Sequence, residues 1–182
     1  MNTSSIRIIG GRHKSYRIVF KASSALRPTS DRAKETLFSW LQFELENKSC
    51  LDLFAGTGSL GLEALSRGAQ HVTFVEREKS LYKNIIKNIS DLGYENKIQA
   101  VCSDSFKWLK KNKQKFDLVF LDPPFDLIDY KMLIRAIFQN NVLNEDGKIF
   151  LESSKHTSIE LSKTQNILKD KTIGDVRLII LQ

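Results

Sequence analysis

The segment Asp122-Pro123-Pro124-Phe125 joins a carboxylate, two rigid prolines and an aromatic ring, directly after an apolar stretch at 116–121. The carboxylate and a proline-fixed backbone carbonyl can both accept hydrogen bonds from an amino group, and Phe125 can stack on a planar base. An exocyclic amine of a base is a weak nucleophile, and two fixed acceptors would aim its lone pair at an activated methyl group. The segment therefore predicts chemistry on the amino group of a base, against the alternative of a plain proline-stiffened turn.

A second motif, Leu51 to Gly61, is an apolar strand that runs through a glycine-rich turn into a helix. Gly56 and Gly58 can adopt backbone angles closed to other residues, and the free N–H groups of the helix would face a ligand. The turn predicts a bound nucleotide. Its spacing also fits the dinucleotide fingerprint, with Glu76 twenty residues on as the acid that binds a ribose, so the motif alone leaves the cofactor open.

Apolar strands alternate with helices along the chain, which predicts an α/β fold with a doubly wound, mostly parallel seven-stranded sheet. An antiparallel C-terminal hairpin should form one edge, and a small N-terminal β-hairpin should precede the sheet. We expect two parts, a basic hairpin arm at 1–28 and the sheet domain at 29–182. The expected strands are 6–9, 17–20, 49–54, 71–75, 97–102, 116–121, 148–152, 165–171 and 176–181, and the expected helices begin near 31, 59, 78, 104 and 129.

Ligands of such sheets bind at the carboxyl ends of the strands, near the switch in strand order. Four acidic residues fall at these ends: Asp52, Glu76, Asp104 and Asp122. Glu76 can accept hydrogen bonds from two ribose hydroxyls. Asp104 can face an adenine amino group or cap the helix that follows it, and the sequence favours neither.

The net charge is +7 over 182 residues, and the excess lies near the N-terminus. Eight basic residues and a single acid occupy positions 1–34. A cluster of this kind attracts a polyanion, and it predicts nucleic acid as a partner of the arm. A second basic run, between Lys107 and Lys115, is interpreted as solvated surface. The candidate RNA-binding residues are Arg7, Arg12, Lys14, Arg27 and Arg32.

Several classes of protein do not fit the sequence. No apolar run is long enough to span a bilayer, and no signal peptide is evident, so we expect a cytoplasmic protein without a membrane partner. Cys50 and Cys102 lack metal-ligand spacing and fall in strands that we expect to be buried. We therefore predict inert core thiols and no metal.

The motifs together resemble a known family. The glycine turn, the acid after the second sheet strand and the proline segment are similar to class I S-adenosylmethionine-dependent amino-methyltransferases. More narrowly, the chain resembles the bacterial 16S ribosomal RNA guanine-N2-methyltransferases of the D type, from Ile6 to the hairpin at 174–175. The segments that carry this resemblance are RIIGGR (7–12), LRPTSDRAKETLF (26–38), LDLFAGTGSLGLEALSRGA (51–69), VERE (75–78) and FLDPPF (120–125).

The resemblance implies transfer of a methyl group from S-adenosylmethionine to N2 of a specific guanine in 16S rRNA, with S-adenosylhomocysteine as product. It implies that the proline segment holds the guanine and that the arm meets RNA in the small ribosomal subunit or its assembly intermediate. We expect a monomer, because nothing in the sequence suggests an obligate oligomer. In this family the arm continues with a tryptophan and a glycine, where this chain has Arg12-His13-Lys14-Ser15. The residues implied to bind the cofactor are Asp52, Phe54, Gly56, Thr57, Gly58, Glu76 and Asp104.

Three other functions stay open at this stage. A nicotinamide oxidoreductase would use the same glycine turn, although it leaves the proline segment and the basic arm unexplained. A non-catalytic ribosome-assembly factor would explain the arm alone. An amino-methyltransferase acting on adenine or cytosine of DNA or another RNA would use the same proline segment. That segment can recognise an exocyclic amino group, but it does not distinguish one base from another.

Overall fold

A computed structural model describes residues 3–21, 29–124, 128–162 and 165–182. The strands and helices alternate as the hydrophobic pattern predicts, and most boundaries agree to within two residues. The elements in chain order are β1 Thr3–Arg7, β2 Arg17–Lys21, α1 Asp31–Trp40, β3 Ser49–Asp52, α2 Ser59–Ser66, β4 His71–Glu76, α3 Lys79–Leu92, β5 Ile98–Cys102, α4 Ser105–Lys111, β6 Phe116–Leu121, α5 Tyr130–Gln139, β7 Leu143–Ser154, β8 Ile167–Ile173 and β9 Val176–Leu181.

The main sheet has seven strands in the order β5-β4-β3-β6-β7-β9-β8, and a separate two-stranded sheet pairs β1 with β2. Strands β3 to β7 are parallel, whereas β9 pairs antiparallel with both β7 and β8. The predicted fold class is therefore confirmed, including both hairpins. The strand order reverses between β3 and β6, which places the switch point between the glycine turn and the proline segment.

Helices cover both faces of the sheet. On one face, α1, α2 and α3 pack with the hairpin against residues such as Cys50 and Phe120. On the other face, α4 and α5 pack against residues such as Leu51 and Val119, which are next to Cys50 and Phe120 in sequence. Because both faces are covered, the central strands are continuously apolar and do not alternate with polar residues.

The N-terminal hairpin packs tightly on the sheet domain. Ile8 and Ile18 are fully buried in the same core as α1 and α2. Gly11, with φ of 75°, lies so close to α2 that a Cβ atom would come within 1.9 Å of the Ser66 carbonyl oxygen. The backbone N–H of Arg12 donates to that same oxygen at 2.7 Å. Gly11 is therefore required for close contact between the hairpin and α2.

The pattern was less informative at β7, which was expected at 148–152 and begins at Leu143. Its pairing with β6 shifts register between Phe116 and Leu118, and Asp146 takes a φ of 60° inside the strand. The polar residues and glycine at 144–147 suggested a loop. They belong to β7 instead, and the register between β7 and β6 is irregular at this point.

The prediction of two buried thiols is half wrong. Cys50 is buried, and burial raises the pKa of its thiol to about 12. Cys102 is exposed. It lies at the end of β5, the edge strand of the sheet, which the apolar pattern could not distinguish from a central strand.

None of the helices in the described part of the chain is long and apolar enough to cross a membrane. Within the same ranges, no three His, Cys, Asp or Glu side chains are arranged to hold a metal ion.

Candidate active site

Three of the predicted acidic residues meet at the carboxyl edge of the sheet. Asp52 lies at the end of β3, opposite Phe74 of β4 and Phe120 of β6. Glu76 and Asp122 each follow those phenylalanines by two residues, so the alternation of side chains directs all three carboxylates to the same face. The strand order and register thus bring together groups that are up to seventy residues apart in sequence.

Asp52 is 2% exposed, and its Oδ2 accepts the Gly61 N–H at 3.0 Å. Burial raises the pKa of the Asp52 carboxyl to about 7, the hydrogen bond from Gly61 opposes this, and the charges of Asp122 and Glu76 raise the pKa further. An isolated protein gains nothing from placing three carboxylates so close. Such an arrangement is typical of a site that awaits a cationic or hydrogen-bond-donating ligand.

The glycine turn closes around Glu76. Gly56, with φ of 52°, donates its N–H to Glu76 Oε2 at 2.7 Å, and the Glu78 N–H donates to Oε1 at 2.7 Å. Gly58, with φ of 79°, donates to the Ala55 carbonyl at 2.6 Å. Two N–H groups that a dinucleotide turn would offer to a pyrophosphate are therefore already in use. Burial raises the pKa of the Glu76 carboxyl, although both backbone hydrogen bonds favour its charged form.

The other predicted cofactor residues lie beside this turn. Thr57 is buried and Phe54 is half-buried against the α4–α5 side of the core. Asp104 caps α4, because its Oδ1 accepts the Lys107 N–H at 3.0 Å. The helix-cap interpretation of Asp104 is thus correct for that oxygen, while contact with an adenine stays a prediction.

The proline segment follows β6 at the switch point. Pro123 is buried and Pro124 is exposed, and the predicted stacking residue Phe125 lies outside the described residues. Asp122 Oδ2 accepts a hydrogen bond from the Thr29 hydroxyl at 2.7 Å. This donor fixes the rotation of the carboxylate and therefore the direction in which its other oxygen points.

Thr29 and Ser30 both precede α1, and the side-chain hydroxyl of either could cap this helix. Ser30 is the cap, since its Oγ accepts the Ala33 N–H at 3.2 Å, and Thr29 is left 4% exposed beside Asp122. A helix needs one such cap, so the second hydroxyl in the pair was a signal of another role.

Glu152 was also missed. Leu121 of β6 pairs with Leu151 of β7, so Glu152 and Asp122 occupy the next positions along adjacent strands. Glu152 is 4% exposed, and its carbonyl accepts a hydrogen bond from the Tyr130 hydroxyl at 3.1 Å. An acid at the end of an apolar strand was the available signal. Carboxylates therefore lie at or near the carboxyl ends of four adjacent strands, β4, β3, β6 and β7.

The predicted RNA-binding residues lie on the hairpin and on α1. Arg7, Arg12, Lys14 and Arg32 are all exposed, whereas Arg27 falls outside the described residues. Arg7 forms an ion pair with Asp31, with an Nε–Oδ2 distance of 2.8 Å. The lysines between Lys107 and Lys115 are exposed as well, as their interpretation as solvated surface requires.

The two departures from the family arm pack into the structure. The His13 ring meets Tyr94 edge-on with a centroid distance of 5.1 Å, and the backbone N–H of His13 donates to Ser66 Oγ at 2.9 Å. Ser15 takes a φ of 75°, a conformation that favours glycine. The backbone at position 15 thus has the left-handed conformation that favours glycine, although this chain has serine there.

Known proteins resemble this chain over nearly its whole length. The chain is 39% identical over 174 residues to the ribosomal RNA small subunit methyltransferase D of Haemophilus influenzae, covering 94% of this chain and 90% of that protein. It is 34% identical to the Escherichia coli protein of the same name, covering 96% and 88%. The solved structure of Escherichia coli yhhF superposes with a TM-score of 0.88 at 31% identity, covering 98% of both chains. The family model described as Conserved hypothetical protein 95 matches residues 6–182. The chain therefore belongs to the Conserved hypothetical protein 95 family, together with the ribosomal RNA small subunit methyltransferases D that it resembles.

Proposed function

We propose that this protein transfers a methyl group from S-adenosylmethionine to the exocyclic N2 amine of a guanine in 16S rRNA of the small ribosomal subunit. The names of its relatives support a methyltransferase that acts on small-subunit ribosomal RNA. The observation that carries the proposal is the carboxylate edge around the glycine turn. Asp52 lies close enough to Asp122 and Glu76 for the charges of those two residues to act on its carboxyl group.

This edge favours one class of cofactor over the other. A pyrophosphate would face three carboxylates and a turn whose Gly56 and Gly58 N–H groups are already bonded. S-adenosylmethionine carries a sulfonium cation, which the same charges attract, and when bound it supplies an activated methyl group. Glu76 is placed to receive the ribose hydroxyls on the remaining lone pairs of its oxygens. The residues present therefore fit this cofactor.

The remaining chemistry belongs to the chain itself. In the proposed mechanism, Asp122 and the Pro123 carbonyl accept hydrogen bonds from the two N2–H groups of the target guanine and hold the amine in one orientation. The one proton that N2 gives up when its bond to the methyl carbon forms passes to solvent. Thr29 holds the Asp122 carboxylate in place through its hydroxyl. Phe125 stacks on the base. Guanine N2 is not accessible in a stacked, paired helix, so the target is a loop nucleotide or is flipped out at a cost of about a few kcal/mol.

The partners follow from the same assignment. The exposed cations of the hairpin and α1 would contact RNA phosphates within the small subunit or its assembly intermediate. We propose that the protein acts there as a cytoplasmic monomer.

The decisive experiment measures transfer of a labelled methyl group to small ribosomal subunits purified from a strain that lacks this gene, followed by nucleoside analysis. Label in N2-methylguanosine is the expected result. Label in N6-methyladenosine or N4-methylcytidine would keep the enzyme class and overturn the base. No label on subunits, naked RNA or DNA would overturn the proposal.

A thermal-shift assay tests the cofactor independently of any substrate. We expect S-adenosylhomocysteine to raise the melting temperature and NAD to leave it unchanged. The opposite pattern would favour a nicotinamide enzyme.

A further inference from the structure

A cleft lies between the N-terminal hairpin and the start of α1. Its volume is about 390 Å³, and its described lining includes Arg7 and Arg17 from the hairpin and Thr29, Ser30 and Asp31 from the other side. This volume is in the range of small-ligand sites in proteins. The cleft is distinct from the glycine turn, because no residue of 51–61 lines its described part.

The cleft places two positive charges side by side. Arg7 and Arg17 are direct partners across the hairpin, and both are exposed. Like charges in directly opposed positions destabilise a strand pair. Among the described residues, Arg17 has no carboxylate within ion-pair distance. The hairpin therefore carries an unfavourable pair of charges that an anion would relieve.

The one acid in the described lining of the cleft, Asp31, is already neutralised. Asp31 Oδ2 accepts from Arg7 Nε at 2.8 Å, and its Oδ1 lies 3.7 Å from the ammonium group of the buried Lys34. Two cations thus compensate the Asp31 carboxylate. The local balance, with Arg17 added, is positive.

The cleft also lies next to the candidate active site. Thr29 lines the cleft and donates its hydroxyl to Asp122, so the cleft and the candidate active site share contact with this residue. A polymer that delivers a base to Asp122 would have its adjoining backbone within reach of this cleft.

We propose that this cleft binds a phosphodiester of the RNA strand next to the target nucleotide, with Arg17 and Arg7 as its cationic ligands. The guanidinium fork matches phosphate oxygens in a bidentate geometry, which a lysine cannot reproduce. The inference rests on the proposed function, since it takes RNA as the substrate. It assigns Arg17, which the sequence did not single out, to substrate binding.

The test compares the wild-type protein with Arg17→Gln, Arg17→Lys and the control Arg135→Gln. Arg135 is an exposed arginine of α5, on the opposite face of the sheet. The KM for unmethylated small subunits is measured at several salt concentrations, together with the melting temperature and the affinity for S-adenosylhomocysteine. Arg17 is preferred to Arg7 because Arg7 also holds Asp31.

We expect Arg17→Gln to raise KM roughly three- to tenfold and to reduce the salt slope by about one, since one phosphate contact is lost. Arg17→Lys should be intermediate. The melting temperature should not fall, because the substitution removes a like-charge pair, and cofactor affinity should not change. Arg135→Gln should match the wild type.

Two results would overturn the inference. If the wild type methylates subunits and both glutamine variants show the same KM and salt slope, the cleft does not bind RNA and the proposed function stands. If Arg17→Gln lowers the melting temperature and raises KM only in proportion to the folded fraction, Arg17 is structural. Absence of methylation by the wild type would instead overturn the proposed function, and this inference with it.

Discussion

The protein buries charged groups in two regions of the same sheet face, and the two regions are built differently. Beneath the hairpin, Lys34 and Glu63 are fully buried, and each lies beside groups that form hydrogen bonds or ion pairs with it. Lys34 donates to the Arg7 carbonyl and faces Asp31, while Glu63 accepts from the Ile9 N–H and from Arg67 Nε, both at 2.7 Å. Every charge there meets a donor, an acceptor or an opposite charge.

At the carboxyl edge of the sheet, by contrast, neighbouring carboxylates carry the same charge. Burial raises the pKa of Asp52, and the charges of Asp122 and Glu76 raise it further. Beneath the hairpin the buried charges compensate one another, so that removing one partner is costly, whereas like charges at the edge reduce the stability of the fold. Such like charges are typical of a functional site. The comparison separates a structural use of buried charge from a functional one, and four substitutions test it.

The largest expected effect is on turnover. Asp122→Ala removes an acceptor of the target amine, and we expect kcat to fall by about a thousandfold, or roughly 4 kcal/mol of transition-state stabilisation. Affinity for S-adenosylhomocysteine, measured by calorimetry, should be retained. Asp122→Asn keeps one acceptor and should lose less. Turnover within tenfold of the wild type in the alanine variant would contradict the assignment.

Breaking the paired region should affect stability and leave the edge intact. Lys34→Met removes the buried ammonium group that donates to the Arg7 carbonyl and faces Asp31, and we expect a loss of about 3 kcal/mol in the free energy of unfolding. Urea denaturation measures this loss. Lys87→Met, at an exposed position of α3, is the matched control and should change stability by less than about 0.5 kcal/mol. A similar small change in both variants would contradict the comparison.

Thr29 links the two regions, and its substitution should have a moderate effect. Thr29→Val keeps the shape of the side chain and removes the hydroxyl that orients Asp122, so kcat should fall about tenfold with little change in KM. Thr29→Ser restores the donor and should recover most of the activity. If serine fails to recover it, the hydroxyl is not what positions Asp122.

The smallest effect should be a gain. Because the Asp52 pKa is raised above its usual value, the folded protein holds this proton more tightly than the unfolded chain. The stability that the protonated group contributes is complete below about pH 4 and is lost as the pH rises through about 7. Asp52→Asn keeps an acceptor for the Gly61 N–H and should raise the free energy of unfolding by about 1 kcal/mol at pH 8, with no gain at pH 4.

Urea titrations at the two pH values measure this difference. Glu35→Gln, at an exposed position of α1, should show no such pH dependence. The asparagine variant should also bind S-adenosylmethionine more weakly, because one attractive charge is removed. A stability loss at pH 8 would show that the Asp52 charge is part of the structure.

The sequence predicted the sheet and its carboxyl edge because both follow from local pattern. Apolar runs identified the strands, and the acids that follow them identified Asp52, Glu76 and Asp122. Thr29 could not be found in this way, because its contact with Asp122 joins residues 93 apart in sequence. The same holds for Glu63 and Ser66. Their sequence positions suggest polar residues of an amphipathic helix, but their side chains accept hydrogen bonds from the hairpin backbone. Exposure of Cys102 depended on strand order, which no local pattern contains.

That exposed thiol makes the unmodified protein convenient for spectroscopy. The buried thiol of Cys50 has a pKa near 12 and is protected from reagents, so a maleimide fluorophore or a nitroxide should attach at Cys102 alone. The label would lie two residues from Asp104, at the edge where ligands are expected. Its emission or its paramagnetic resonance spectrum would then report ligand binding directly, without the introduction of any substitution.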